Sequence, residues 1–414
     1  MTPTEGFTFD FRPGAIRVGA GCVARLGDEL DRLGCDRAML VSGRTVGRTD
    51  AVVDPIREGL GDRLVAEFPE TTPEKTLGTA LAGLETARAH DVDVVVAVGG
   101  GSTLDVAKVL GALSSHGDDA RATAERAVET GELSVSDGGE PLPVVAVPTT
   151  LAGADLSDLA GVTLTLDRGT ELDGADAGSS GEGPPSGGVS DPRLMPEALF
   201  YDSDLYRTTP TSVLTASAMN GFDKGIEALY SPLATPITDG TAARGLRLLR
   251  SGLGTLRAEP MNEARLREVL SGIVAVQYGL AGREGYRASI IHAFGHGFSH
   301  GYDVHQGTIH GVVAPHVLRY LFSEIDGRRD LLAEALGVDA TGGPEATAGA
   351  VIQAVAGVRD DLGLPNRLRD IDGVDQSDFP DVAAAIHDDD LLAVAPDGLD
   401  PTPEAIVAIL ERAW

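Results

Sequence analysis

The sequence predicts a two-domain protein: an α/β half over residues 1–202, built on a parallel Rossmann-like sheet, then an all-α half over residues 203–414. Three observations predict this. The 414 residues exceed the roughly 100–200 of one ordinary domain. Short valine-rich runs alternate with amphipathic helical patterns through the first 200 residues, as expected of parallel strands covered on both faces. After a linker at 203–212 (SDLYRTTPTS), only helical patterns follow.

Taken in order, GAGCVA at 19–24 fits the G-x-G-x-x-G/A pattern between a short strand and the helix LGDELDRLG (26–34). The acidic residue that should follow about 20 positions on is replaced by Gly43 and Arg44 in VSGR, so GAGCVA reads as a structural turn. AMLVSG (38–43), DVVVAVGG (93–100) and PVVAVPTT (143–150) read as buried strands, and TLGTALAGLETARAH (76–90) as a helix. Residues 167–192, rich in Gly, Ser, Pro and acids, read as a solvated hairpin tip without a catalytic role. The second half contains VLTASAMNGFDKGIEALYSPL, DGTAARGLRLLRSGLGTL, EARLREVLSGIVAVQYGLAG and PEAIVAILERAW, all helical.

Composition narrows the function. A formal charge of −30 argues against nucleic acid or an anionic membrane as partner, because like charges repel. The basic residues include only three lysines, Lys75, Lys108 and Lys224. An acidic chain nearly without lysine suits a salt-rich cytoplasm, where a Debye length of about 3 Å at molar salt mutes self-repulsion. No apolar run approaches the roughly 18 residues of a membrane span, and the N-terminus lacks a signal-peptide pattern, so a cytoplasmic location is expected. Cys22 and Cys35, the only cysteines, imply neither a zinc cluster nor a disulfide framework.

GGGSTLDVAK at 99–108 is the sharpest motif. Buried valines end in three glycines, then Ser102 and a helix. Glycines let a backbone approach a diphosphate, and a helix start offers free N–H groups and a positive dipole end. PTTLAGAD at 148–155 repeats the logic, with Thr149 and Thr150 able to hydrogen-bond a phosphate, ribose or nicotinamide.

These two motifs, the helix SAMNGFDKGIEALY and the segment HAFGHGFSHGYDVHQGTIHGVVAPHVLRY occur in this order. Together they resemble the iron-containing alcohol dehydrogenase superfamily over nearly the whole chain. The resemblance implies an NAD(P)-binding α/β domain, a helical domain, an active site in the cleft between them, and commonly a homodimer. It places the cofactor diphosphate on Gly99, Gly100, Gly101 and Ser102, with Asp105 at the family's acidic position, and Thr149, Thr150 and Leu151 on the nicotinamide side. Many members carry an acidic residue where Gly43 stands. Without that carboxylate, and with Arg44 beside it, the expectation leans to NADP(H).

Metal-dependent members bind one divalent ion, iron or zinc, through an Asp, a His four residues later, and two later His residues. Matched through Ile226-Glu227-Ala228, these positions fall on Asn220, Lys224, His292 and Gln306. An ammonium cannot ligate a metal while protonated, and neutral amides are weak ligands, so the usual ion is expected to be lost. The nearest branch resembles the metal-independent maleylacetate reductases, which share the Asn and the SAMN…EALY pattern but keep a His where this chain has Lys224. Lys224 could stabilise negative charge developing on a substrate oxygen, paired with Asp223 or a substrate carboxylate.

Six of nine histidines (His292, His296, His300, His305, His310, His316) lie within 25 residues. His292, His296 and His300 would share a helical face if the helix continued past Gly295 and Gly297. His296 is the first choice as proton carrier, His292 and His310 follow, and His316, His90 and His116 read as packing or capping residues. Arg283 and Arg287 could hold a carboxylate substrate or simply face solvent. The favoured function is NAD(P)-dependent reduction of a small carbonyl compound or oxoacid, and the reverse alcohol oxidation. Two alternatives stay open. One is an iron- or zinc-dependent alcohol dehydrogenase with a rearranged His site drawn from His292, His296, His305, His310 or Asp223. The other is a non-catalytic nucleotide-binding protein.

Overall fold

Six parallel strands form the sheet of the first unit, in the order β1-β8-β5-β4-β2-β3. They are β1 (Ala15–Val18), β2 (Ala38–Gly43), β3 (Leu64–Thr71), β4 (Val94–Gly99), β5 (Val144–Pro148) and β8 (Ala198–Tyr201). The computed structural model describes residues 14–168, 185–281, 288–298, 302 and 304–414. All of β4 and β5 are buried, which is why their valines run without polar alternation. One face of the sheet packs Leu40, Val96, Val98 and Phe200 against Leu26, Leu30, Val52 and Ile56 of two helices, Leu26–Leu33 and Asp50–Leu60. The helices Leu77–Ala89 and Gly101–Ser114 are mostly buried and lie against one another.

The sequence expected a hairpin tip over 167–192. The hairpin is there as β6 (Leu159–Thr163) and β7 (Ser186–Ser190), which pair antiparallel; β7 takes in SGGVS, read from the sequence as loop. Residues 169–184 lie outside the described residues. The presumed linker at 203–212 is instead ordered backbone. Asp202 caps the helical turn Ser203–Tyr206, and the two compact units divide at Thr209/Pro210 rather than at 202/203.

The turn GAGCVA is held by the same Asp202. The backbone N–H of Gly21 donates to Asp202 Oδ1 at 2.9 Å, and that of Val23 to Oδ2 at 3.0 Å. The amides a phosphate would need here are taken by a buried carboxylate, which fits a structural turn.

Among the described residues, the elements of the second unit are all helices, with no strand. The elements that matter for chemistry are Thr211–Tyr230, Ile290–Gly297, Gln306–Glu324 and Phe379–His387. Gln306–Glu324 packs on Thr211–Tyr230 at Gly307, where a Cβ would collide with the carbonyl of Ala216. Among the described residues, no helix is long and apolar enough to cross a membrane.

Candidate active site

The sheet order creates one place where chain connections diverge. From β2 the chain passes outward to β3, while β4, on the other side of β2, leads to β5 and then β8. In open parallel sheets, ligands bind at the carboxyl ends of strands at such a switch point. Gly43 ends β2 and Gly99 ends β4, so two of the four glycines expected to bind cofactor lie there.

The glycines are there for physical reasons. Gly99 has φ 145°, a region L side chains rarely adopt, and a Cβ on it would lie 3.0 Å from Thr103 Oγ1. A Cβ on Gly100 would press on Thr150 Cγ2 at 3.2 Å, and one on Gly101 on Ala154 Cβ at 3.3 Å. Thr103 Oγ1 in turn shares a 2.8 Å hydrogen bond with Thr71 Oγ1 at the end of β3. Gly101 begins a fourteen-residue helix, and both Gly101 and Ser102 are only half-buried. This loop fits a dinucleotide diphosphate: a bare backbone at a helix N-terminus.

The neighbouring positions divide. The Thr149 N–H donates to Gly99 O at 2.9 Å, and the Thr209 hydroxyl donates to Thr149 O at 2.9 Å, so Thr149 ties β4 to β5 and is buried. Thr150 is half-buried with its methyl toward Gly100. Leu151 is wholly buried. Asp105 Oδ2 accepts from Lys75 Nζ at 3.0 Å. Lys108, fully buried, donates to the carbonyls of Ala154 at 2.7 Å and Leu159 at 3.2 Å, and burial lowers its pKa. Arg44 is half-buried directly after Gly43.

In the helical unit, side chains from separate elements meet around His292. Its Nδ1 lies 2.6 Å from Glu227 Oε2. Glu227 is buried and also accepts from the backbone N–H groups of Ser289 at 2.9 Å and Ile291 at 2.7 Å, and from the Tyr230 hydroxyl at 3.1 Å. Burial alone would push the Glu227 carboxyl up. The His292 imidazole and the two N–H groups outweigh it and hold the carboxyl below its usual range. On the other side, His292 Nε2 stands 3.4 Å from Asn220 Oδ1, and Asn220 Nδ2 donates to Gln306 Oε1 at 3.1 Å. Three of the four positions matched to the family's metal ligands are therefore hydrogen-bonded into a chain.

His310 lies edge-on to His292, with ring centroids 4.4 Å apart, and its Nδ1 is 3.3 Å from Asp223 Oδ2. Both side chains are wholly buried and none of their four polar atoms has a well-formed hydrogen bond. Burial, then the charges of His292, His296 and Lys224, lowers the His310 pKa well below 6.5. Burial, then Glu227, raises that of Asp223. Gly295 makes room here: a Cβ would collide with His310 Nε2. Lys224, half-buried, is near enough for its charge to bear on His310.

The helix carrying His292 and His296 spans Ile290–Gly297; His300, Arg283 and Arg287 lie outside the described residues. His305 is the exposed N-cap of the next helix. His90 and His116 bond backbone carbonyls of Thr86 and Ser134, at 3.0 and 2.8 Å. Among the described residues, no group of three or more His, Cys, Asp or Glu converges as a metal-binding set. Two site residues escaped the sequence reading. Glu227 was visible only as an alignment anchor, and Asp389, which meets His296, was one acid among many.

Comparison with known proteins shows what the whole chain is similar to. The family profile described as iron-containing alcohol dehydrogenase matches residues 13–173, and its Fe-containing C-terminal counterpart matches 214–414. Maleylacetate reductase 1 of Rhodococcus opacus is 27% identical over 99% of this chain and 96% of its own. Lactaldehyde reductase of Escherichia coli (strain K12) is 25% identical, covering 96% of this chain and 97% of its own. The crystal structure of a 1,3-propanediol oxidoreductase superposes with a TM-score of 0.83 at 25% identity, over 99% of this chain and 100% of that one.

Proposed function

The chain belongs to the iron-containing alcohol dehydrogenase family, and from that premise we propose that it catalyses reversible hydride transfer between NAD(P)(H) and a small alcohol/carbonyl pair. Its favoured substrates are oxoacids of the maleylacetate kind. One observation supports the reading of the chemistry: Asn220, His292 and Gln306, three of the four positions that the resemblance matches to the family's metal ligands, are hydrogen-bonded to one another, with His292 held by Glu227; the fourth is Lys224.

Two amides, one ammonium and one imidazole do not fit a divalent ion, and three of these groups are already engaged with one another. The proposed reaction therefore uses side chains alone at that position. Bound NAD(P)H supplies the hydride. Gly99, Gly100, Gly101 and Ser102 cradle its diphosphate, and Thr150 lies beside them. Lys224 stabilises the negative charge that grows on the carbonyl oxygen, the electrostatic work a Lewis acid does elsewhere. His296, partly exposed, returns a proton to that oxygen. Glu227 fixes the ring of His292 so that Nε2 faces Asn220, and buried His310 supports that ring at its edge.

Gly43 puts no carboxylate at the end of β2, and Arg44 follows it, which supports a preference for NADP(H). The charge of −30 with three lysines supports a salt-rich cytoplasm, and a homodimer is proposed from the family resemblance. An initial-rate screen of NADH and NADPH against oxoacids, aldehydes and ketones in high salt tests the reading. Oxoacid-dependent cofactor oxidation is expected. Tight nucleotide binding without turnover across the panel would overturn it in favour of a non-catalytic nucleotide-binding protein.

A further inference from the structure

We propose that Asp389 is the positioning residue for His296; this rests on the reading of His296 as proton carrier. Asp389 Oδ2 lies 2.8 Å from His296 Nδ1, although the two residues are 93 positions apart. His296 sits in the last turn of the helix Ile290–Gly297, and Asp389 follows the helix Phe379–His387. The His296 side chain is 44% exposed and that of Asp389 only 16%.

An imidazole free on the surface turns about its side-chain bonds and divides between two tautomers. Bound through Nδ1–H to a covered carboxylate, it keeps one orientation and one tautomer, with Nε2 left to exchange a proton. The carboxylate is itself held from another direction. Asp389 Oδ1 accepts from the backbone N–H of Leu391 at 2.8 Å and caps the short helix Asp390–Val394. A backbone N–H as well as the histidine thus holds the carboxylate in place.

A second feature brings the two segments together. The helix Phe379–His387 presses on bare backbone at Gly297, the residue after His296. A Cβ there would collide with Ile386 Cγ1 and lie 3.3 Å from Val382 O. The close approach delivers residue 389 to the imidazole. A chance surface ion pair would need no such contact and contributes little to stability.

Asp389→Asn, His296→Gln and the double variant test the proposal, each assayed for NADPH-dependent carbonyl reduction and for thermal unfolding. Asparagine retains an oxygen to cap Leu391 but can turn an N–H toward Nδ1, which selects the wrong tautomer. The expected result is a kcat roughly 10- to 100-fold lower for Asp389→Asn, with KM for NADPH and the unfolding midpoint unchanged. The double variant should be no slower than His296→Gln. Loss in His296→Gln with wild-type turnover in Asp389→Asn overturns the positioning role and leaves the reading of His296 standing. Wild-type turnover in His296→Gln overturns that reading and the proposal with it. A loss in Asp389→Asn that comes with a lowered unfolding midpoint assigns Asp389 to the turn alone and overturns its positioning role.

Discussion

Nδ1 of His292 stands 2.6 Å from Oε2 of Glu227, a wholly buried carboxylate that also takes two backbone N–H groups at the start of the same helix. One side chain therefore fixes both the fold of Ile290–Gly297 and the orientation of its first histidine. Glu227→Gln keeps the volume but replaces a charged acceptor with a neutral one. Breaking one partner of a buried pair costs about 3–5 kcal/mol. Chemical denaturation should show a loss of that order, and kcat should fall with it. A variant as stable as wild type would contradict the arrangement.

Lys224 carries the proposed charge stabilisation. Lys224→Met removes the charge and keeps much of the apolar stem. Loss of one preorganised donor typically costs about 10²–10³ in kcat, and that is the expected drop in steady-state carbonyl reduction. Turnover close to wild type would remove Lys224 from the chemistry. Lys224→Arg is the weaker test, because the charge stays.

Gly43 sets the expected cofactor preference. Its missing Cβ would point toward Thr71 O at 3.4 Å and Thr103 Oγ1 at 3.8 Å, so an added side chain meets ordinary contacts there. Gly43→Asp restores a carboxylate that hydrogen-bonds ribose hydroxyls and repels a 2′-phosphate. The ratio of kcat/KM for NADPH to that for NADH should fall by at least about tenfold, the equivalent of roughly 1.4 kcal/mol. An unchanged ratio, or a wild-type enzyme that already prefers NADH, would defeat this assignment.

His316 gives the fold a pH dependence with a definite sign. Burial, then the charges of Arg319, Arg359 and Arg412, lowers its pKa from 6.5 to about 4. The unfolded chain thus binds more protons than the folded one between those values. His316 contributes stability above pH 6.5 that is lost as the pH falls toward about 4. His316→Gln removes this titration, so the drop in unfolding midpoint between pH 7 and pH 4.5 should be smaller than in wild type. Equal drops would show that His316 contributes nothing.

What the sequence made legible follows burial. AMLVSG became β2 residue for residue, because a strand covered on both faces needs unbroken apolar side chains. LVAEFPET, the edge strand β3, gave no such signal: Glu67, Pro69 and Glu70 are tolerated on an edge. The glycine turn after β4 was legible because three consecutive glycines are costly in a chain unless a backbone must pass close. Glu227 and Asp389 were not, since pairing across 65 and 93 residues leaves no local spacing to read. In a chain with 63 acidic residues, Asp388, Asp389 and Asp390 look alike until the fold points one of them at an imidazole.

The central claim is that side chains do the work at the position the family gives to a metal. It is tested most directly by stripping the purified protein with a strong chelator in high salt, measuring residual iron and zinc, and assaying NAD(P)H oxidation with an oxoacid. The expected result is turnover equal to that of untreated protein at far less than one metal per chain. Activity that vanishes with the metal, and returns when stoichiometric iron or zinc is added back, would contradict it.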